Sequence, residues 1–105
     1  MCKSEIFAKI IGFVSKETEI PEHEIIGTSR KEEVVDARCI LIRLLIESGM
    51  YAEQIAYYLH RTPAGIRHLN SIFESRCEHA RMIQINMLAI RKLLESNLFL
   101  KSVGL

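Results

Sequence analysis

Apolar residues recur along this chain at spacings of three and four, and strand-like alternation is absent, so the pattern predicts helices throughout. A first helix is expected over Ser4 to Lys16, with Ile6, Phe7, Ile10, Ile11 and Val14 on one face. Pro21 then opens a short helical turn that Gly27 stops. Ser29 followed by Glu32 fits a capping box, in which hydroxyl and carboxylate each accept from an otherwise unpaired backbone N–H. It predicts a third helix running to about Ser48. Between Val34 and Ile46 that helix is apolar on most sides, which marks it as the buried centre of the fold.

Gly49 ends the central helix, and a short helix follows over Glu53 to Leu59 with Ile55, Ala56 and Leu59 inward. A turn at His60 and Arg61 leads into Thr62-Pro63, an N-cap residue followed by proline at the first helical position, where its missing N–H costs nothing. Ile66, Leu69 and Phe73 then recur at helical spacing and leave Arg67, His68 and Ser71 to face outward. Two short helices joined by a tight turn, the second basic near its start, predict a helix-turn-helix over residues 51–74. A last helix is expected from about Glu78 to Ser96, striped by Ile83, Met87, Ile90 and Leu94, before an apolar tail at Leu98 to Leu100.

With 105 residues, 49% of them apolar and 26% charged, the chain has room for one ordinary core. Arg43 cuts the apolar run Cys39 to Ile42, far short of the roughly 20 residues a membrane span needs. Lys3 and Lys9 interrupt the N-terminal apolar stretch and no small-residue cleavage site follows, so a cytoplasmic location is expected. The three cysteines at 2, 39 and 77 have no paired spacing and are expected to be reduced thiols, with Cys39 packing as a small hydrophobe.

Net charge is only +1, but residues 1–60 carry 7 Lys/Arg against 10 Asp/Glu and residues 61–105 carry 7 against 3. The resulting −3 and +4 give the second half the positive potential that nucleic acid would meet, or simply a solvated helical surface. Cys77-Glu78-His79 and the four histidines fit neither C-x₂-C nor H-E-x-x-H, so no metal site or cofactor is expected. A small helical chain does not readily enclose a cysteine nucleophile with its base and oxyanion site, so an enzyme is not expected and no small-molecule substrate either.

The stretch Ser29-Arg30-Lys31-Glu32-Glu33-Val34-Val35-Asp36-Ala37-Arg38 resembles the opening of the C-terminal DNA-binding domain of the bacterial replication initiator DnaA. There a basic loop of the form S-R-K-R-E-V-V-D-A-R leads into the long central helix. Glu53-Gln54-Ile55-Ala56 and Leu59 fall where that family has the first helix of its helix-turn-helix, and the similarity spans roughly residues 4–74. The resemblance implies a Trp-repressor-like helical domain, expected at 1–76; beyond it, the apolar residues of a C-terminal helical extension at 77–105 are expected to pack on that domain or to form a dimer surface. It further implies that Arg30 and Lys31 touch phosphate or the minor groove beside the recognition helix.

The family's G-G-R-D-H-T-T-V-L-H-A signature appears here, with one residue deleted, as His60 to Leu69. Arg61, Ile66 and His68 keep its character, whereas Thr62 to Gly65 replace the Asp, His and Thr pair that read the initiator's own box. Glu32 stands in place of a loop arginine, and no G-x-x-x-x-G-K-[ST] phosphate loop occurs. The expected activity is therefore sequence-specific binding of double-stranded DNA by a stand-alone relative without ATPase activity, a transcriptional regulator or replication accessory. Its expected contacts are Arg30, Lys31, Arg61, Thr62, Ala64, Arg67, His68 and Ser71, with Arg67 and His68 placed to reach base edges. A homodimer through 78–105 is expected as well. The alternative is a protein-interaction adapter that keeps the helix-turn-helix fold without DNA contact.

Overall fold

The central element is a helix, α3 (Glu32–Glu47), that buries nine of its residues, and the rest of the chain is laid around it. The structure, a computed structural model, describes residues 2–96. Around α3 lie α1 (Lys3–Thr18), α2 (Glu22–Ile26), α4 (Ala52–Leu59), α5 (Pro63–Ser71), α6 (Phe73–His79) and α7 (Arg81–Ser96). The described residues contain no strand, and the fold is all-α as the periodicity predicts. No described helix is long and apolar enough to cross a membrane. The apolar tail expected at Leu98 to Leu100 lies outside the described residues.

One cluster forms the core. Ile10, Ile11 and Val14 of α1, Ile40, Leu41 and Leu45 of α3, Ile55 and Leu59 of α4, and Ile66 of α5 are all essentially inaccessible to water. Ile83, Met87 and Ile90 of α7 belong to the same cluster, where α7 lies against α1 and α3. The C-terminal helix is thus folded back onto the body that precedes it.

Local chemistry sets the helix ends. Gly49, at φ +101°, closes α3 by letting the Met50 N–H reach the Leu45 carbonyl at 3.1 Å while the Met50 side chain is buried. At the end of α4 the same turn is made by His60, a non-glycine residue at φ 54°, with the Arg61 N–H on the Ala56 carbonyl at 3.0 Å. Gly27 is needed for a different reason. Its φ is −70°, but a Cβ there would stand 2.9 Å from the His23 carbonyl oxygen.

Several boundaries differ from the sequence expectation. The N-cap of α3 is Lys31, and no side chain caps the helix. Ser29 lies two residues too early for a capping box, because its own carbonyl is held by Arg38 at 3.1 Å; its hydroxyl accepts only from the Lys31 N–H, at 3.4 Å. Glu32 and Glu33 act instead through the positive end of the helix dipole. Ile66, Leu69 and Phe73 do not share one helix: α5 ends at Ser71, Phe73 opens α6, and Ala80, extended at φ −134°, ψ 93°, separates α6 from α7, so the last helix begins at Arg81 rather than Glu78.

Candidate nucleic-acid interface

As the sequence indicates, α4 and α5 are two short helices joined by a tight turn, although α5 ends at Ser71. Thr62 caps α5, its hydroxyl accepting from the Gly65 N–H at 3.0 Å, and Pro63 follows at the first helical position. Ile55, Ala56 and Leu59 of α4 and Ile66 of α5 face the core, which leaves Ala64, Arg67, His68 and Ser71 exposed along the outer side of α5. That is the side a recognition helix turns toward a groove.

Its charges are already in use. Arg67 donates to the Glu53 carboxylate of α4 at 2.6 Å, an exposed pair; the backbone N–H of Glu53 first, and Arg67 second, hold that carboxyl below the usual carboxylate range. An exposed pair of this kind is weak, because solvent screens both partners, so Arg67 is readily released to another acceptor. The Ser71 hydroxyl donates to the His68 carbonyl at 2.6 Å. The Thr62 hydroxyl, occupied in capping, retains only its exposed rim for an outside partner.

Arg30 and Lys31 are exposed on the loop between α2 and α3. The loop is held from beneath by Arg38, only 4% exposed, whose guanidinium donates to the carbonyls of Ile25, Gly27, Ser29 and Glu24 at 2.8, 2.8, 3.1 and 3.2 Å. No carboxylate shares the site, and burial together with the charge of Arg61 lowers the basicity of Arg38. Four carbonyl dipoles hold the ion in place of a counter-charge.

Arg61, in the turn between α4 and α5, lies partly inward. It donates to the same Gly27 carbonyl at 2.5 Å, and its Nε is buried without a partner. Arg61 therefore ties the basic loop to the turn between α4 and α5 rather than projecting freely from it. The structure thus brings Arg61 next to the 27–31 loop and gathers Ala64, Arg67, His68 and Ser71 on one helix face.

Two features were missing from the sequence reading. Arg38 is the anchor of the loop, and nothing in its local sequence marks it as buried. Tyr51 and Tyr57, 71% and 77% exposed, stand on the α4 side of the pair. An exposed aromatic at i+4 from Glu53 was visible as a position on the outer face of α4.

Part of the basic character of residues 61–105 is consumed within the fold. Arg67 pairs with Glu53, Arg76 with Asp36 at 2.6 Å and Arg91 with Glu47 at 2.7 Å, each joining a cation of the second half to an acid of the first. Arg43 makes the reverse connection, to Glu74 at 2.8 Å and the Asn70 side chain at 2.8 Å, while stacking 4.3 Å above the Phe73 ring. Among the described residues no group of three or more His, Cys, Asp or Glu side chains is arranged to hold a metal ion. Compared with models of protein families, with curated proteins and with solved structures, the chain matches none.

Proposed function

We propose that this protein binds double-stranded DNA in a sequence-specific manner, as a Trp-repressor-like helix-turn-helix domain related to that of the replication initiators, in a regulatory or replication-accessory role in the cytoplasm and without ATPase activity. The observation that carries the reading is the outer face of α5, where Ala64, Arg67, His68 and Ser71 are all exposed while Ile66 locks the helix to the core. A short helix held this way presents small and hydrogen-bonding side chains to a major groove, with arginine able to pair with guanine O6 and N7. Arg30 and Lys31 supply phosphate contacts from a loop whose position is set by Arg38 and Arg61.

Selection of bound sequences from a random duplex pool, followed by a fluorescence-anisotropy titration of the winner at several salt concentrations, tests this reading. Log affinity is expected to fall with log salt at a slope near −0.9 per phosphate contacted. No enrichment, and no binding at low salt at tens of micromolar protein, would overturn it. The exposed Tyr51 and Tyr57 favour a second reading, an adapter that docks another protein on the α4 side. In that case binding is nearly indifferent to salt and lost on Tyr57→Ala.

A further inference from the structure

The last described helix has two faces. α7 buries Ile83, Met87 and Ile90, so helical geometry puts Arg81, Ile85, Leu88, Lys92 and Glu95 along its opposite side, where all five are exposed. Ile85 and Leu88, 51% and 57% exposed, form an apolar centre flanked by Met82 at 61%. Arg81, Lys92 and Glu95 form no ion pair with any described residue.

The charges on this face are placed against the helix that carries them. α7 has no acid in its first turn and no base in its last; instead Arg81 opens it and Glu95 stands one residue from its end. A helix dipole is positive at the N-terminus and negative at the C-terminus, so both charges are disfavoured in an isolated α7. They are also symmetric about Leu88. Arg81 lies seven residues before it and Glu95 seven residues after it, about 10 Å in either direction along the axis.

We infer that this face is the contact between two copies of the chain, paired through antiparallel α7 helices about a two-fold axis at Leu88. The axis brings Leu88 onto Leu88 of the other copy and sets each Arg81 against the opposite Glu95. It likewise sets each Lys92 near the opposite Gln84, four residues on either side of the centre. Each charge then meets both an opposite charge and the dipole end of the favourable sign. A parallel pairing would place arginine on arginine and glutamate on glutamate. The apolar centre supplies the affinity, and the exposed ion pairs select the orientation. One four-turn helix per copy covers less than the roughly 800 Å² per partner of a standard interface, so the dimer is a micromolar, concentration-dependent one. The inference does not depend on DNA binding, since it is measured without DNA.

Sedimentation equilibrium on the full chain, from about 5 to about 500 µM to bracket so small an interface, should show the 12.1 kDa monomer passing to a species of twice that mass. Leu88→Asp and Ile85→Asp, both at exposed positions that leave the core intact, should each hold the mass at the monomer value. Arg81→Glu and Glu95→Arg should each weaken the dimer about ten-fold, because the two-fold axis turns one reversal into two like-charge contacts. The combined Arg81→Glu/Glu95→Arg variant should restore it. A mass that stays at the monomer value for the unaltered chain, or a dimer indifferent to Leu88→Asp, overturns the interface. A double variant weaker than either single one overturns the antiparallel register.

Discussion

Arg38 and Arg61 donate to one and the same acceptor, the Gly27 carbonyl oxygen, at 2.8 and 2.5 Å. Two guanidinium groups converge where no carboxylate is present, and the cost of their repulsion is offset by backbone dipoles that have no other donors. Arg38 satisfies four carbonyls at the end of α2 and in the connection to α3, whereas Arg61 joins that connection to the turn between α4 and α5. The connection owes its shape to α3 and the turn together rather than to its own residues.

Removing Arg38 should therefore destabilise the whole domain. Arg38→Leu fills much of the volume but strands the carbonyls of Ile25, Ser29 and Glu24, leaving that of Gly27 to Arg61, and an equilibrium urea titration is expected to show a loss of about 3 to 5 kcal/mol, since each buried acceptor left unpaired costs about 1 to 3 kcal/mol. Arg61→Ala removes a single, half-buried donor and should cost about 1 kcal/mol. Equal losses for the two would contradict the division of roles.

The pair Arg67–Glu53 leads to a prediction on DNA. If α5 reads DNA as proposed, Arg67→Ala and His68→Ala should each reduce specific affinity by about 1 to 3 kcal/mol and relax sequence preference, as side chains at base edges do. Arg30→Ala and Lys31→Ala should weaken all sequences alike and lessen the salt slope by about 0.9 each. Glu53→Gln, which frees Arg67 and takes a negative charge away from the phosphates, should tighten binding with little change in stability. Anisotropy titrations of the five variants on cognate and scrambled duplexes check this. No change in any of them removes α5 from the interface.

Much of the fold is written in periodicity, and much of the site is not. The apolar spacing of α1, α3 and α4, the Gly49 stop and the Thr62-Pro63 start are local signals, and they appear in the structure where the pattern puts them. The break at Ala80 carries no such signal, since alanine is the best helix former and neither glycine nor proline stands near it. Arg38 is illegible for a different reason. Its partners are carbonyls nine to fourteen residues upstream, and carbonyls leave no trace in a sequence. The charge difference between the halves is equally ambiguous as text. Only the pairs Arg76–Asp36, Arg91–Glu47 and Arg67–Glu53 show that it serves to join the halves.

The cysteines should differ sharply in reactivity. Cys2 is exposed, whereas Cys39 is fully buried, and burial, opposed by nearby Arg76, pushes its thiol up to about 11 from an ordinary value near 9. Burial raises Cys77 as well. A brief maleimide pulse read by mass spectrometry is expected to add one label, on Cys2, and to reach Cys39 only after unfolding. The same group makes stability depend on alkaline pH. Because the folded value is the higher one, its contribution is complete below pH 9 and disappears as pH rises through about 11. A difference of that size corresponds to about 3 kcal/mol, and Cys39→Ala should lack that part of the alkaline loss. Rapid labelling of Cys39 in the native protein would contradict its burial.

The C-terminal helix provides the test of where the core ends. Ile83, Met87 and Ile90 are 1%, 3% and 0% exposed and share one cluster with residues of α1 and α3, so α7 is structural even though the α4–α5 pair lies entirely before it. Truncation after Ser75 uncovers the faces of α1 and α3 that these side chains fill, and the shortened chain is expected to lose its cooperative urea transition. Single substitutions separate the two sides of the helix within the full-length chain. Ile90→Ala should cost about 2 to 5 kcal/mol through a lost side chain and the cavity it leaves, whereas Met82→Ala, at a position 61% exposed, should change stability by less than about 0.5 kcal/mol in dilute solution. A truncated chain that still unfolds cooperatively, together with an Ile90→Ala variant of unchanged midpoint, would show that α7 is an appendage and that the core closes without it.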